Sequence, residues 1–557
     1  MTIPEIYKLF KSCNGVTTDT RTLKGGEMFF ALKGENFDGN EYALKALEAG
    51  AAYAVVNASA EVAAVEDPRL VKVEDTLKTL QELARWHRSM TFVDGKPLTV
   101  IALTGTNGKT TTKELLRQVL SVKYNVTATE GNLNNSIGVP LTLLKINSET
   151  QIAVVEMGAS HPGDIKELVD IALPNYGLIT NVGKAHLLGF GSFEGVKATK
   201  GELYDYLRRT SDKVFLNVDN PHLCQMASER NLHSDPERPY SLVLPYGLSL
   251  YGGQVLPSDA EHPFLRISLR DVVLSTQLVG SYNADNVMAA IAVGEQFGVS
   301  FEDAVKAVEA YVPSNNRSQM TRTEKNILIV DAYNANPTSM DAALNNFASV
   351  VAERKVAMLG DMLELGEESV AEHVTVVRKA VEAGLDAVFF VGGEFAKAVE
   401  ILAAESAVES AAESAAESAA ESAAESAAES SAESAAESAA ESSAEANATD
   451  GTASGVTSSG GVGLDGTTSD GTASDSTASD VAASGGVGLD GTTSDGTATD
   501  GTASDVAASG GVGLDAIRCF ETSQSLADWL SENPINDAAV LIKGSRGTRM
   551  EKVITAL

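Results

Sequence analysis

Cysteine is nearly missing from this 557-residue chain: Cys13, Cys224 and Cys519 lie far apart. Three thiols so placed form neither a disulfide framework nor a metal-ligand spacing, which fits a reducing compartment. No apolar run reaches the length of a membrane span, and Met1–Thr2–Ile3–Pro4–Glu5 lacks the basic and apolar regions of a signal peptide. The expectation is a cytoplasmic protein with no membrane partner. Basic residues are outnumbered as well, 42 Lys and Arg against 76 Asp and Glu, for a net charge of −34. That balance argues against nucleic acid as a partner.

The acidity is local. Residues 401–515 contain eleven Glu and ten Asp and neither Lys nor Arg, so this stretch alone carries −21. From about Ala403 to Glu445 it is nearly pure Ala-Ala-Glu-Ser, with Glu at every fourth position from Glu405. Alanine favours helix, whereas like charges at i,i+4 oppose it, so the expectation is a marginal, frayed helix or none. Beyond it, the hexamer GGVGLD begins at Gly460, Gly485 and Gly510. It resembles part of a calcium-binding nonapeptide, but that architecture needs a copy every nine residues. The stretch 403–515 therefore reads as a disordered, dispensable low-complexity insertion.

The remainder divides into α/β units: 1–96, 97–313, and 314–402 continued by 516–557. Apolar runs of strand length occur at Met28–Leu32, Ala52–Val56, Leu98–Leu103, Gln151–Val155 and Gly177–Val182. Four more, Ile327–Val330, Lys355–Leu359, Val388–Val391 and Ala538–Ile542, each run into a loop of polar or glycine residues. Strands alternating with helical pattern predict mostly parallel sheets covered by helices, with chemistry at the strands' carboxyl ends.

The most informative loop is Thr104–Gly105–Thr106–Asn107–Gly108–Lys109–Thr110–Thr111, between a strand and the helical run Lys113–Leu120. Glycines let backbone N–H groups approach phosphates, the helix start favours an anion, Lys109 neutralises the outer phosphates and Thr110 can hold Mg²⁺. Leu103 stands where the usual P-loop has its first glycine.

This loop resembles the signature of the Mur ligases, ATP-dependent enzymes that build the peptidoglycan stem peptide. Thr18–Asp19–Thr20–Arg21, followed by Phe29–Gly34, resembles their uridine-nucleotide-binding domain. Thr129–Asn135, Glu156–Met157–Gly158 and Asn181–His186 resemble further ATPase-domain stations, and Gly280–Asn286 the start of the adenine-contacting helix. Asp331–Pro337, Leu359–Glu367 and Val540–Arg546 resemble the branch that adds D-alanyl-D-alanine, and the D-N-P-R of the diaminopimelate-adding branch is absent.

The resemblance implies three domains: a small N-terminal α/β domain, a central P-loop ATPase-like parallel sheet and a C-terminal Rossmann-like domain. It implies ATP and Mg²⁺ as cofactors, and UDP-N-acetylmuramoyl-tripeptide and D-alanyl-D-alanine as small-molecule substrates of a monomer. ATP would meet Gly105–Thr111, Asn283, Asn286, Arg317 and Asp331. Mg²⁺ would meet Thr110, Glu156, His186 and Lys200, the last as a carbamate; Lys109 completes the catalytic set. Substrate contacts would come from Asp19, Thr20, Arg21, Lys33, Gly34, Asn132, Asn134, Asn135, Asn334, Asn336, Pro337, Lys543 and Ser545. On residue type alone, His186 suits a structural role better than Mg²⁺, and Lys197 or Lys200 a solvated helix face. Asp331 fits a helix cap equally well, Asn334–Pro337 a plain turn, and Lys543 and Ser545 a loop-shaping role. His87, His222, His233, His262 and His373 read as structural. Two rivals fit the same residues: a related amide ligase with another amino substrate, and an inactive nucleotide-binding scaffold.

Overall fold

The computed structural model describes residues 1–232, 242–258, 262–313, 317, 319–445 and 516–557. The GGVGLD repeats and His233 lie outside the described residues. The chain divides into two units, Met1–Ala404 with Val506–Leu557, and Glu405–Asp505.

Within the first unit, three larger sheets of four, six and six strands follow one another. The N-terminal sheet is parallel, in the order Val16–Thr17, Met28–Phe30, Tyr53–Asn57 and Leu70–Val73. The helix Thr76–Ser89 follows, its N-terminus capped by Asp75, whose Oδ1 accepts from the Lys78 N–H at 2.9 Å. This helix joins the first sheet to the second, since Leu80, Leu83 and Ala84 share one apolar core with Val100, Leu143 and Val169. Arg88 donates to the Leu173 carbonyl and Asn175 Oδ1 at 3.0 and 2.9 Å. His87 lies between the Tyr7 hydroxyl at 3.2 Å and the Ile146 carbonyl at 2.8 Å. Burial pushes its imidazole toward the neutral form, as such a bridge requires.

The central sheet has six parallel strands, ordered Val243–Tyr246, Lys213–Asn217, Tyr176–Ile179, Thr99–Thr104, Ile152–Glu156 and Val126–Ala128. Thr99–Thr104 lies in the middle, and the chain leaves it first to one side and then to the other. The crevice made where strand order reverses is where open α/β sheets bind ligands. An antiparallel meander, Gln254–Leu256, Arg266–Leu269 and Val272–Ser275, adds a small side sheet.

The third sheet runs Gln319–Arg322, Ile327–Asp331, Ala539–Lys543, Lys355–Gly360, Ala387–Val391 and Ile517–Phe520, antiparallel only at its first strand. Ala539–Lys543, far along the chain, thus lies between strands that precede the acidic stretch. The helix after Ala387–Val391 is the crossover to its neighbour Ile517–Phe520. Its first turns are anchored by Phe395 and Ala398, both fully buried.

That crossover helix does not stop where packing stops. It runs unbroken from Gly393 to Glu445, 53 residues, where the sequence reading gave a marginal helix or none. Alanine's propensity outweighs repulsion of about 0.2–0.5 kcal/mol per like-charged pair. Serine hydroxyls also turn back onto the helix, as when Ser422 donates to the Ser418 carbonyl at 3.0 Å and Ser426 to Ala423 at 3.1 Å.

Because the crossover needs only the first turns of this helix, removing Ala404–Gly511 is expected to leave the third sheet intact. Urea denaturation of the shortened chain should retain the full-length midpoint. A chain that no longer unfolds cooperatively would show that the insertion is part of the folded core.

Candidate active site

Three strands of the central sheet end at one cavity of about 760 Å³. Thr99–Thr104 delivers the loop Gly105–Lys109, Ile152–Glu156 delivers Glu156, and Tyr176–Ile179 delivers Asn181 to His186. Two glycines are obligatory in the first loop. Gly105 has φ +147°, and a Cβ there would lie 2.0 Å from Thr180 Oγ1. Gly108, φ +78°, is the N-cap of the helix Lys109–Leu120, and a Cβ there would lie 2.4 Å from Asn286 Oδ1.

The loop is clamped from behind. Asn181 accepts from the Asn107 N–H at 3.0 Å and donates to the Asn107 carbonyl at 3.1 Å. Thr112 donates to Asn286 Oδ1 at 2.9 Å, Asn286 to Asn283 at 2.8 Å, and Asn283 to the Val279 carbonyl at 2.8 Å. Asn283 and Asn286 thus join the helix Ala284–Gln296 to the helix Lys109–Leu120.

Lys109 lines the cavity and donates to the Gly105 and Thr106 carbonyls at 2.8 and 3.0 Å. Burial pulls its ammonium from 10.5 down to about 8, opposed by Glu156 and reinforced by Arg317. Glu156 is buried, accepting from Thr110 Oγ1 at 3.0 Å and from Asn134 Nδ2 at 2.8 Å. Lys200 is buried, with the Ala159 carbonyl at 3.4 Å and the Phe190 ring face at 5.4 Å. Burial, then the charge of Lys109, push its ammonium well below the ordinary lysine range. Lys197 points elsewhere, to Glu194 at 3.0 Å.

The third domain closes the cavity. Asp331, Tyr333, Asn334 and Lys543 line it, with Arg317 from the segment before the third sheet. The Arg317 guanidinium lies 3.6 Å from the Tyr333 ring centre, and its buried Nε has no hydrogen-bond partner among the described residues. Asp331 pairs with the buried Lys543 rather than capping a helix. Asn336 is the N-cap of Pro337–Ala348, and its amide exchanges two hydrogen bonds with that of Asn107, at 2.8 and 3.3 Å. Ser545 is buried with an unpartnered hydroxyl. His186 meets the Glu364 carboxylate of the third domain. Both residues are left-handed, at φ 52° and 65°, a conformation uncommon outside glycine. Burial, followed by the cations Lys109 and Lys200, pushes His186 toward neutrality against the pull of Glu364.

Asn132, Asn134 and Asn135 line the opposite wall, where Asn135 also caps the turn at Ile137 and Gly138. Asp19, Thr20, Arg21, Lys33 and Gly34 do not line this cavity. In the N-terminal domain, Asp19 caps the turn Thr20–Thr22 and pairs with Arg21, while Lys33 lies 3.5 Å from Asp38.

Sequence reasoning passed over Ser160, His161, Asp164, Glu167 and Asp285, all of which line the cavity. Asp164 accepts from the Ser160 and His161 N–H groups at 2.8 and 2.9 Å. For Ser160, His161 and Asp164 the signal was positional, since the loop after Glu156 is a carboxyl end of a strand at the crevice. Glu167 lies on the helix Asp164–Ala172, and Asp285 inside the Gly280–Asn286 segment.

Among the described residues, no three His, Cys, Asp or Glu side chains converge as a metal cage. A buried carboxylate beside a threonine hydroxyl suits Mg²⁺, which takes one or two protein oxygens and completes its shell with phosphate and water.

With a pKa near 8, Lys109 is mostly protonated at about pH 7 and mostly neutral at about pH 8.5. The unfolded chain then holds more protons between about 8 and 10.5, so this group's contribution to stability rises with pH across that window. A polyphosphate reverses the shift. ATP binding is expected to take up about half a proton or more at pH 8.5 and little at pH 7. Calorimetry in buffers of different ionisation enthalpy measures this, and Lys109→Met should abolish it.

Family models match this chain at residues 12–88 (Mur ligase family, catalytic domain), 103–294 (Mur ligase middle domain) and 316–450 (Mur ligase, glutamate ligase domain). The UDP-N-acetylmuramoyl-tripeptide–D-alanyl-D-alanine ligase of Bacillus subtilis is 36% identical over 361 residues, 64% of this chain and 74% of the relative. That of Escherichia coli is 36% identical over 385 residues, 68% and 81% of the two chains. Among solved structures, MurF from Acinetobacter baumannii has a TM-score of 0.68 at 23% identity, covering 100% of this chain and 98% of its own. A MurF ligase from Thermotoga maritima in complex with ADP has a TM-score of 0.65 at 21% identity, covering 98% and 97%. Those two structures share the fold. The matched domains and the relatives' identity over most of their length establish that the chain belongs to the Mur ligase family.

Proposed function

We propose that this chain joins D-alanyl-D-alanine to UDP-N-acetylmuramoyl-tripeptide at the expense of ATP, in the cytoplasm and as a monomer. One observation carries the reading: the phosphate loop, Glu156, and the third-domain residues Asp331 and Asn334 all face one cavity, in a chain 36% identical to ligases of that name.

A carboxylate is too poor an electrophile for an amine, so it is activated first. Its oxygen attacks the γ-phosphorus of ATP, ADP leaves, and an acyl phosphate remains. The amine of D-alanyl-D-alanine then attacks the acyl carbon and loses a proton. Phosphate departs with one oxygen of the former carboxylate, leaving an amide. The step brings anion to anion, and Lys109 and Arg317 supply the offsetting charge. Asn181 and Asn286 fix the loop that presents Lys109. Glu156 and Thr110 are the protein oxygens that would hold Mg²⁺, with His186 and a carbamate on Lys200 as further ligands; the ion supplies charge neutralisation. Asn132, Asn134 and Asn135 would meet the tripeptide, and Asn334, Asn336, Lys543 and Ser545 the dipeptide. Asp19, Thr20, Arg21, Lys33 and Gly34 would hold the uridine nucleotide, outside the reaction cavity. Closure by the third domain excludes the water that would hydrolyse the acyl phosphate.

Phosphate release from ATP with Mg²⁺ tests the activity. It should require both substrates and give a pentapeptide product by mass; no release with both present, whether the third stem-peptide residue is diaminopimelate or lysine, would contradict the reading. Carbamylation has its own test. The neutral amine that burial favours at Lys200 attacks CO₂ through nitrogen and gives up a proton. With ¹³CO₂, a carbamate carbon resonance is expected in the native protein and in Lys197→Ala, and none in Lys200→Ala. Its absence from the native protein would contradict the carbamate.

A further inference from the structure

The loop Gly183–Leu188 holds two domains at once. On its inner side the Gly183 N–H donates to Thr106 Oγ1 of the phosphate loop at 3.0 Å. On its outer side it touches three separate segments of the third domain. The Lys184 N–H donates to Thr338 Oγ1 at 3.1 Å, and the Leu188 N–H to the Glu364 carbonyl at 3.1 Å. Approach is close enough that a Cβ on Gly183 would lie 2.6 Å from Thr338 Oγ1. The third contact is ionic: the Lys184 ammonium pairs with Glu372, on the helix Ser369–Glu382. Glu372 is 9% exposed, so its carboxylate has given up most of its water and depends on that ammonium. Lys184 is more open, its side chain 48% exposed, so it can leave for solvent when the domains part.

We propose that Lys184, inside the Asn181–His186 segment, and Glu372, outside every motif of the site, form a latch that holds the third domain against the phosphate loop, acting as positioning residues. The pair spans the domain boundary. A latch half open to water suits a contact that forms and releases in each cycle, because a fully buried pair would be too costly to separate. Losing it leaves nucleotide binding on the central domain intact. It loosens the enclosure in which the acyl phosphate waits for the amine, so water competes for the intermediate.

This inference rests on the ligase reading given above, and the test separates the two. Lys184→Ala, Glu372→Gln and the reversed pair Lys184→Glu with Glu372→Lys are compared with the native chain. Three quantities are read: KM for D-alanyl-D-alanine, phosphate released per pentapeptide formed, and the ATP dissociation constant without the other substrates. Each single variant should raise that KM roughly fivefold and lift the phosphate ratio above one, with ATP affinity within about twofold of native. The reversed pair should return both quantities toward native values. Single variants that keep native KM and one phosphate per product would overturn the latch, as would a folded reversed pair that recovers nothing. If the native protein forms no pentapeptide, the ligase reading fails. The latch is then read by electron-spin distance measurement between labels at Val122→Cys and Val351→Cys, exposed positions on the two domains, with the native cysteines replaced. Lys184→Ala should broaden and lengthen that distance and the reversed pair restore it; an unchanged distance would overturn the proposal.

Discussion

Cations held away from water without a direct ion pair among the described residues are the constraint on which this site depends. Lys109 donates to backbone carbonyls, Lys200 has a carbonyl and a ring face, and Arg317 lies on an aromatic ring with its Nε unpartnered. Each arrangement costs solvation energy, and the depressed pKa of Lys109 and Lys200 measures that cost. An incoming polyanion relieves it. The surrounding fold keeps these groups in place.

The three-sheet architecture divides that work. The central sheet supplies rigid strand ends, so Lys109, Glu156 and His186 come from three strands of one sheet and share its stiffness. The N-terminal sheet is joined to it by the helix Thr76–Ser89 through a common apolar core and the buried hydrogen bonds of His87 and Arg88. The third sheet's domain meets the central one through polar pairs, Asn336 on Asn107, Glu364 on His186 and Glu372 on Lys184, and through an apolar cluster in which Leu187, Phe190 and Val279 join Met340 and Leu365. The polar pairs lie at the site, where contacts can be exchanged for water.

Much of this was legible in the sequence, because buried parallel strands are continuous apolar runs and the phosphate loop has a local grammar of glycine, lysine and threonine. Strands expected at Leu98–Leu103 and Gln151–Val155 are found at Thr99–Thr104 and Ile152–Glu156, a shift of one residue. The short meander Gln254–Ser275 escaped notice, since its strands of three or four residues carry no long run. Ala539–Lys543 was legible as a strand but not as a central one, because strand order is set by pairing between distant segments. His161 and Asp164 lack a motif and became visible only through the cavity. Glu364 lies in the Leu359–Glu367 motif, but its pairing with His186 is visible only in the fold, and Glu372 looks like an ordinary surface acid until the fold sets it against Lys184. The repeat helix was misjudged by weighing repulsion between glutamates above the cumulative preference of alanine.

The central claim is that the carboxylate is phosphorylated before the amine attacks. It is tested most directly with UDP-N-acetylmuramoyl-tripeptide carrying ¹⁸O in its terminal carboxylate, together with ATP, Mg²⁺ and D-alanyl-D-alanine. The account predicts one ¹⁸O in each phosphate released alongside pentapeptide, read by mass. Pentapeptide formed with unlabelled phosphate would contradict it, because the carboxylate oxygen would then never have been joined to phosphorus.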